Sequence, residues 1–171
     1  GQYYDYRVLD VAEDRSRVAE YGDRPRDYST RVFTRGSRAF IASTPLDTPF
    51  LAVVAYQAPH HPATPDPRDL DAFGDLRPRR PPSFDERDVS DKPAYVRNRA
   101  RLTEADERAV DGFRRNQLRT LLAVDRGVGQ LLSTLKALER LRDTLVIFLS
   151  DNGYQWGEHR WVGKGVPYEE S

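Results

Sequence analysis

The sequence predicts an α/β domain with a largely parallel sheet flanked by helices. Three observations carry that prediction. Residues 50–56 (FLAVVAY) and 144–149 (TLVIFL) are short continuous apolar runs, the composition of strands covered on both faces. Between them, residues 103–138 repeat apolar side chains with a helical period. The resulting order of helix, strand, loop, helix and strand favours parallel strands joined by crossovers.

Residues 3–9 (YYDYRVL) are aromatic and β-branched, as in a strand, and residues 17–21 are expected to pair with them as a hairpin. Asp27 is placed to cap a helix running to about Ala42, with Val32, Phe33, Ala39, Phe40 and Ile41 as its apolar stripe. Pro45 and Pro49 then break the chain before the first apolar run. Eight of the twelve prolines fall between Pro59 and Pro93, with charges among them. A long loop over 57–100 is therefore expected, either a solvated linker or a substrate-facing excursion. Thr103 opens the long helix, and Glu104, Asp106 and Glu107 oppose its positive end. Val110, Phe113, Leu118, Leu121, Leu122, Val124, Val128, Leu131, Leu132, Leu135 and Leu138 make it core-facing, with no chemistry assigned.

The 171 residues fit one domain. Lys and Arg number 27 and Asp and Glu 27, so the net charge is zero, which argues against a nucleic-acid-binding module. Neither apolar run, 50–56 or 145–149, is long enough to span a membrane. Without Cys, these residues carry no disulfide, thiolate zinc site or cysteine nucleophile. The chain begins at Gly1, contains no Met and ends at Ser171 directly after a Gly-rich segment. We read it as a piece of a larger protein, a partial domain spanning 1–171.

Ligands of open α/β sheets bind beyond the carboxyl ends of the strands. Gln57, Ala58, Pro59, His60 and His61 follow the first run, and Ser150, Asp151, Asn152 and Gly153 follow the second. Asp151 and Asn152 offer adjacent oxygens suited to a hard cation such as Ca²⁺ or Mg²⁺. Asp-Asn-Gly is equally an ordinary turn sequence. His60 and His61 lie between Pro59 and Pro62, so one imidazole can face a site while the other packs or meets water. Lys164 is one of three lysines and is flanked by Gly163 and Gly165. It suits a tetrahedral oxyanion, or it is a solvated loop residue. A cation, an imidazole and an ammonium together fit hydrolysis of an anionic ester. No activated nucleophile is evident.

Segments 49–65 (PFLAVVAYQAPHHPATP) and 144–171 (TLVIFLSDNGYQWGEHRWVGKGVPYEES) resemble the His loop and the metal-binding strand with its Lys loop in sulfatases, in the branch of N-acetylglucosamine-6-sulfatases. Residues 83–96 and 121–132 also look like that branch. The resemblance implies an alkaline-phosphatase-like α/β fold and a single Ca²⁺. It makes Asp151 and Asn152 metal ligands, and His60 and Lys164 contacts to the sulfate ester. His61 and His159 inherit no role. Sulfatases use a formylglycine made from Cys or Ser in a Cys/Ser-x-Pro-x-Arg motif, which precedes the resembled region and is absent from these residues.

The expected function is thus a segment of a sulfuric ester hydrolase acting on a small or saccharide sulfate ester, and inactive by itself. A phosphodiesterase or phosphonate monoester hydrolase of the same superfamily, or a non-catalytic binding module, are the competing readings. No nucleic-acid or membrane partner is expected. An isolated piece should hold Ca²⁺ weakly and self-associate through exposed apolar surface. The resemblance also suggests a secreted or periplasmic location.

Overall fold

The computed structural model describes residues 2–12 and 15–170. Gly1 and Ser171, where the chain begins and ends, lie outside them. The chain divides into two compact units: residues 1–72 with 116–145, and residues 73–115 with 146–171.

The first unit opens with the expected hairpin. Strand β1 (Tyr6–Ala12) pairs antiparallel with β2 (Arg15–Tyr21), and Leu9 sits opposite Val18. Helix α1 (Ser29–Ser43) starts later than expected: Tyr28, not Asp27, holds the cap position. Pro25 begins a 3-10 turn over Pro25–Asp27 that takes up Asp27, whose carbonyl accepts the Tyr6 hydroxyl at 2.8 Å. The buried face of α1 also differs. Val32 and Ile41 are buried as expected, but so are Ser29, Thr30 and Thr34, while Phe40 is largely exposed.

The unit's core groups Tyr3, Tyr28, Ala58, Ala123 and Val124. Tyr3 and Tyr28 stack with ring centroids 5.7 Å apart, and burial pushes both phenols well above the ordinary tyrosine range. Their hydroxyls tie down the proline-rich segment: Tyr3 donates to the His60 carbonyl at 2.8 Å and Tyr28 to the Thr64 carbonyl at 2.9 Å. Asp66 is fully buried beneath that segment. It receives both ends of the Arg31 guanidinium, with Nε at 2.6 Å, and the Arg68 amide at 3.0 Å. Asp69 takes two bonds from Arg126, at 2.8 and 2.5 Å. The segment is therefore an ordered loop held by buried ion pairs, which excludes the solvated-linker reading for its first part.

Helix α3 (Glu104–Ala137) matches the sequence closely. Thr103 and Asp106 cap its start reciprocally: Thr103 donates its amide to Asp106 at 2.9 Å, and Asp106 donates its own to the Thr103 hydroxyl at 3.2 Å. Val110, Val124 and Leu135 are buried along the predicted stripe. Gly127 lies against the Thr34–Tyr56 hydroxyl pair, whose oxygens are 2.9 Å apart. A Cβ there would stand 2.6 Å from Thr34 Oγ1 and 2.9 Å from Tyr56 Oη. Gly127→Ala is therefore expected to destabilise by about 1–3 kcal/mol through overpacking, reversing the roughly 1 kcal/mol helix-propensity gain. A thermal melt followed by circular dichroism checks the sign.

The expected largely parallel sheet is not formed among the described residues. The two sheets present are two-stranded and antiparallel: β1–β2, and β3 (Gln155–Trp156) with β4 (Val162–Gly163). Residues 50–56 and 144–149 carry no ladder, and they are not buried strands. Leu51 is 84% exposed and Leu149 81%. The physical reason is partner supply. A strand covered on both faces needs neighbouring strands for its backbone and helices for its side chains, and among the described residues neither run has a strand partner.

The second unit holds a short helix α2 (Ala94–Arg97), β3 and β4. It is organised by two buried carboxylates. Asp85 accepts from Arg101 at 2.8 and 2.5 Å and from the Leu102 amide at 2.9 Å. Glu158 accepts from the Trp156 amide at 2.6 Å and from Arg79 at 3.2 Å. Gly157 has φ +114°, and a Cβ would lie 2.4 Å from the Phe84 ring, so the backbone needs glycine here.

Candidate active site

Each candidate residue follows an apolar run, where side chains lie beyond the end of extended backbone. In the second unit the chain turns at Ser150, whose hydroxyl donates to the Asn152 carbonyl at 2.6 Å. This turn leaves Asp151 exposed and half-buries Asn152. The chain then passes through β3 and the His159 turn and returns along β4 to Lys164. Gly163 and Gly165 both have positive φ, at +127° and +102°, so the loop bends on either side of the ammonium. Lys164 Nζ donates to Asn152 Oδ1 at 3.1 Å. Two residues twelve positions apart, singled out separately from sequence, are thus brought together.

His60 lies in the first unit, exposed, on a loop whose Ala58–Pro59 and His61–Pro62 bonds are cis. Its carbonyl is held by Tyr3, and the preceding Pro59 carbonyl accepts from Gln117 at 3.4 Å. The ring Nδ1 lies 3.0 Å from the His61 carbonyl oxygen. The Gln57 side-chain nitrogen stands 3.3 Å from the same Nδ1, so this face of the ring is held between a carbonyl and an amide. Gln57 donates to the same carbonyl at 3.2 Å. The His61 backbone thus orients the neighbouring imidazole, a part played by main chain that residue-type reasoning does not reveal.

His159 is packed within the second unit. Its Nδ1 is 3.2 Å from Glu86 Oε2, and its ring stacks on Tyr168 at 4.2 Å.

The donor chemistry fits a hard cation in part. Asp151 and Asn152 supply oxygen donors, two toward the roughly 6–8 that Ca²⁺ takes. Among the described residues no group of three or more His, Cys, Asp or Glu could hold a metal ion. The Lys164 ammonium sits on the Asn152 oxygen a metal would use, and its charge opposes a second cation there. Lys164→Met is expected to raise the chain's Ca²⁺ affinity several-fold, measured by calorimetric titration. Equal or weaker binding would show that Asn152 Oδ1 is not a ligand.

A model of the sulfatase family matches residues 2–171. The chain belongs to the sulfatase family. The family has an alkaline-phosphatase-like α/β fold and is known to use a metal cofactor. Among relatives, an extracellular sulfatase SULF-1 homolog of Drosophila melanogaster is 26% identical over 98% of this chain and 15% of its own length. An arylsulfatase of Volvox carteri is 30% identical over 85% of this chain and 26% of its own. The human N-acetylglucosamine-6-sulfatase is 27% identical over 92% and 28%. The chain thus spans between 15% and 28% of the length of these relatives. No helix among the described residues is long and apolar enough to cross a membrane.

Proposed function

We propose that these residues form part of the catalytic domain of a sulfuric ester hydrolase that cleaves sulfate esters of a sugar. The contact between Asn152 and Lys164 carries this reading, because it sets an oxygen donor beside a fixed ammonium at the end of an apolar run. Asp151 and Asn152 hold Ca²⁺ through hard oxygens, and the ion supplies charge neutralisation for the ester oxygens when bound. Lys164 binds a sulfate oxygen as a compact point charge. His60 is the group proposed to donate a proton to the leaving alcohol. The covalent nucleophile, a formylglycine made from Cys or Ser, comes from outside these residues. The sugar substrate follows from the human relative, an N-acetylglucosamine-6-sulfatase. Export from the cell follows from the Drosophila relative, an extracellular sulfatase homolog.

The 171 residues alone are inactive in this reading, and exposed Leu51, Val53, Leu145 and Leu149 favour self-association. Hydrolysis of an aryl sulfate separates the outcomes. The complete gene product turns it over and the isolated chain does not. Robust turnover by the isolated chain, or phosphodiester but no sulfate cleavage by the complete protein, would refute the reading.

A further inference from the structure

We propose that Arg99, Trp161 and Tyr95 form a recognition subsite for an acidic sugar unit neighbouring the one that carries the reacting ester. The proposal rests on the sulfatase reading above and extends it to substrate class.

The Arg99 guanidinium lies over the Trp161 ring, 3.8 Å from its centroid. Tyr95 meets the same indole edge-on, with centroids 6.4 Å apart and planes at 86°. Tyr95 is exposed, and Trp161 and Arg99 are half-buried. Arg99 and Arg160 lock each other through their backbones. Arg99 Nε donates to the Arg160 carbonyl at 2.9 Å, and Arg160 Nη1 donates to the Arg99 carbonyl at 3.0 Å. Arg160 directs its other nitrogens to the carbonyls of Glu86 and Arg87, at 2.9 and 2.8 Å. Arg160 is therefore a staple, whereas Arg99 is a positioned cation.

The other charge contacts in this unit sharpen that contrast. Arg79, Arg80 and Arg101 each pair with a carboxylate. Among the described residues no carboxylate pairs with Arg99. Stacking fixes the plane of its guanidinium, whose fork matches two oxygens of a sulfate or carboxylate. The exposed Tyr95 face offers packing for the apolar C–H side of a pyranose ring. The platform also adjoins the candidate site. Trp161 Nε1 lies 3.9 Å from the position of a Cβ on Gly163, the residue before Lys164. Trp161 and Lys164 are three positions apart, so their Cα atoms lie within about 10 Å. With zero net charge, the chain has no general basic excess to bind polyanions nonspecifically.

Calorimetric titration of the chain with a sulfated heparin-type hexasaccharide, and separately with inorganic sulfate, tests the subsite at physiological ionic strength. The hexasaccharide is expected to bind more tightly than inorganic sulfate. Arg99→Gln should weaken it at least tenfold and Tyr95→Ala at least threefold, with melting midpoints checked in parallel. Tyr95 is exposed, so its variant decides the matter if Arg99→Gln misfolds. Unchanged hexasaccharide binding in the folded variants, or wild-type binding no tighter than inorganic sulfate, would overturn the proposal. Aryl sulfate turnover by the complete protein involves no neighbouring sugar, so the sulfatase reading stands or fails separately.

Discussion

Asp66→Asn is expected to lower the thermal midpoint by about 10 °C at pH 7, from a loss of about 3 kcal/mol for breaking a buried ion pair in a chain of this size. Asp66 is fully buried and takes donors from Arg31 and Arg68, while Arg126 stands 3.9 Å away. An amide keeps one acceptor but leaves the Arg31 charge without its partner. Burial alone would push the Asp66 carboxyl up, yet the bonds from Arg31 and Arg68 outweigh it and hold the carboxyl below its usual range. A depressed folded value means the stabilisation is fully present above the unfolded carboxyl value of about 3.9. It is lost as pH falls below that value through the folded one. Melts from pH 7 to pH 3 should therefore show the wild type falling toward the variant in acid. A constant gap across that range would contradict the assignment.

Lys164→Ala should lower kcat/KM of the complete enzyme by about 10²–10³, the usual loss when one preorganised group is removed from a developing anion. Lys164 is exposed on its glycine-flanked loop, and its one described bond is to Asn152. The melting midpoint should accordingly stay unchanged while turnover falls. Lys164→Arg should not restore activity, because a planar guanidinium cannot replace a compact ammonium between two bends. A parallel loss of stability and activity would make Lys164 structural instead.

Local signals made much of this architecture legible. The α3 start is written in Thr103 and Asp106, and its buried stripe in residues a helical turn apart. Asn152 and Lys164, whose side chains touch, stand out in sequence because strand-end polarity and flanking glycines are properties of a few consecutive residues. The ion pairs of Asp66, Asp69 and Asp85 do not. Their arginines lie 35, 57 and 16 residues away, and nothing local distinguishes them from surface charge. The runs at 50–56 and 144–149 misled for a related reason. Apolar composition states what a strand would bury, whereas burial depends on strand partners those runs lack among the described residues. Phe40 failed likewise, since helical spacing defines a face without saying what covers it.

The proposed function rests most heavily on Asp151 and Asn152 as ligands of the metal beside Lys164. Aryl sulfate hydrolysis by the complete gene product, chelated and then titrated with Ca²⁺, tests it most directly. Activity should vanish on chelation and return with Ca²⁺, and Asp151→Asn should require a much higher Ca²⁺ concentration for half-maximal rate. Turnover indifferent to chelation, or an unchanged Ca²⁺ requirement in Asp151→Asn, would contradict the claim.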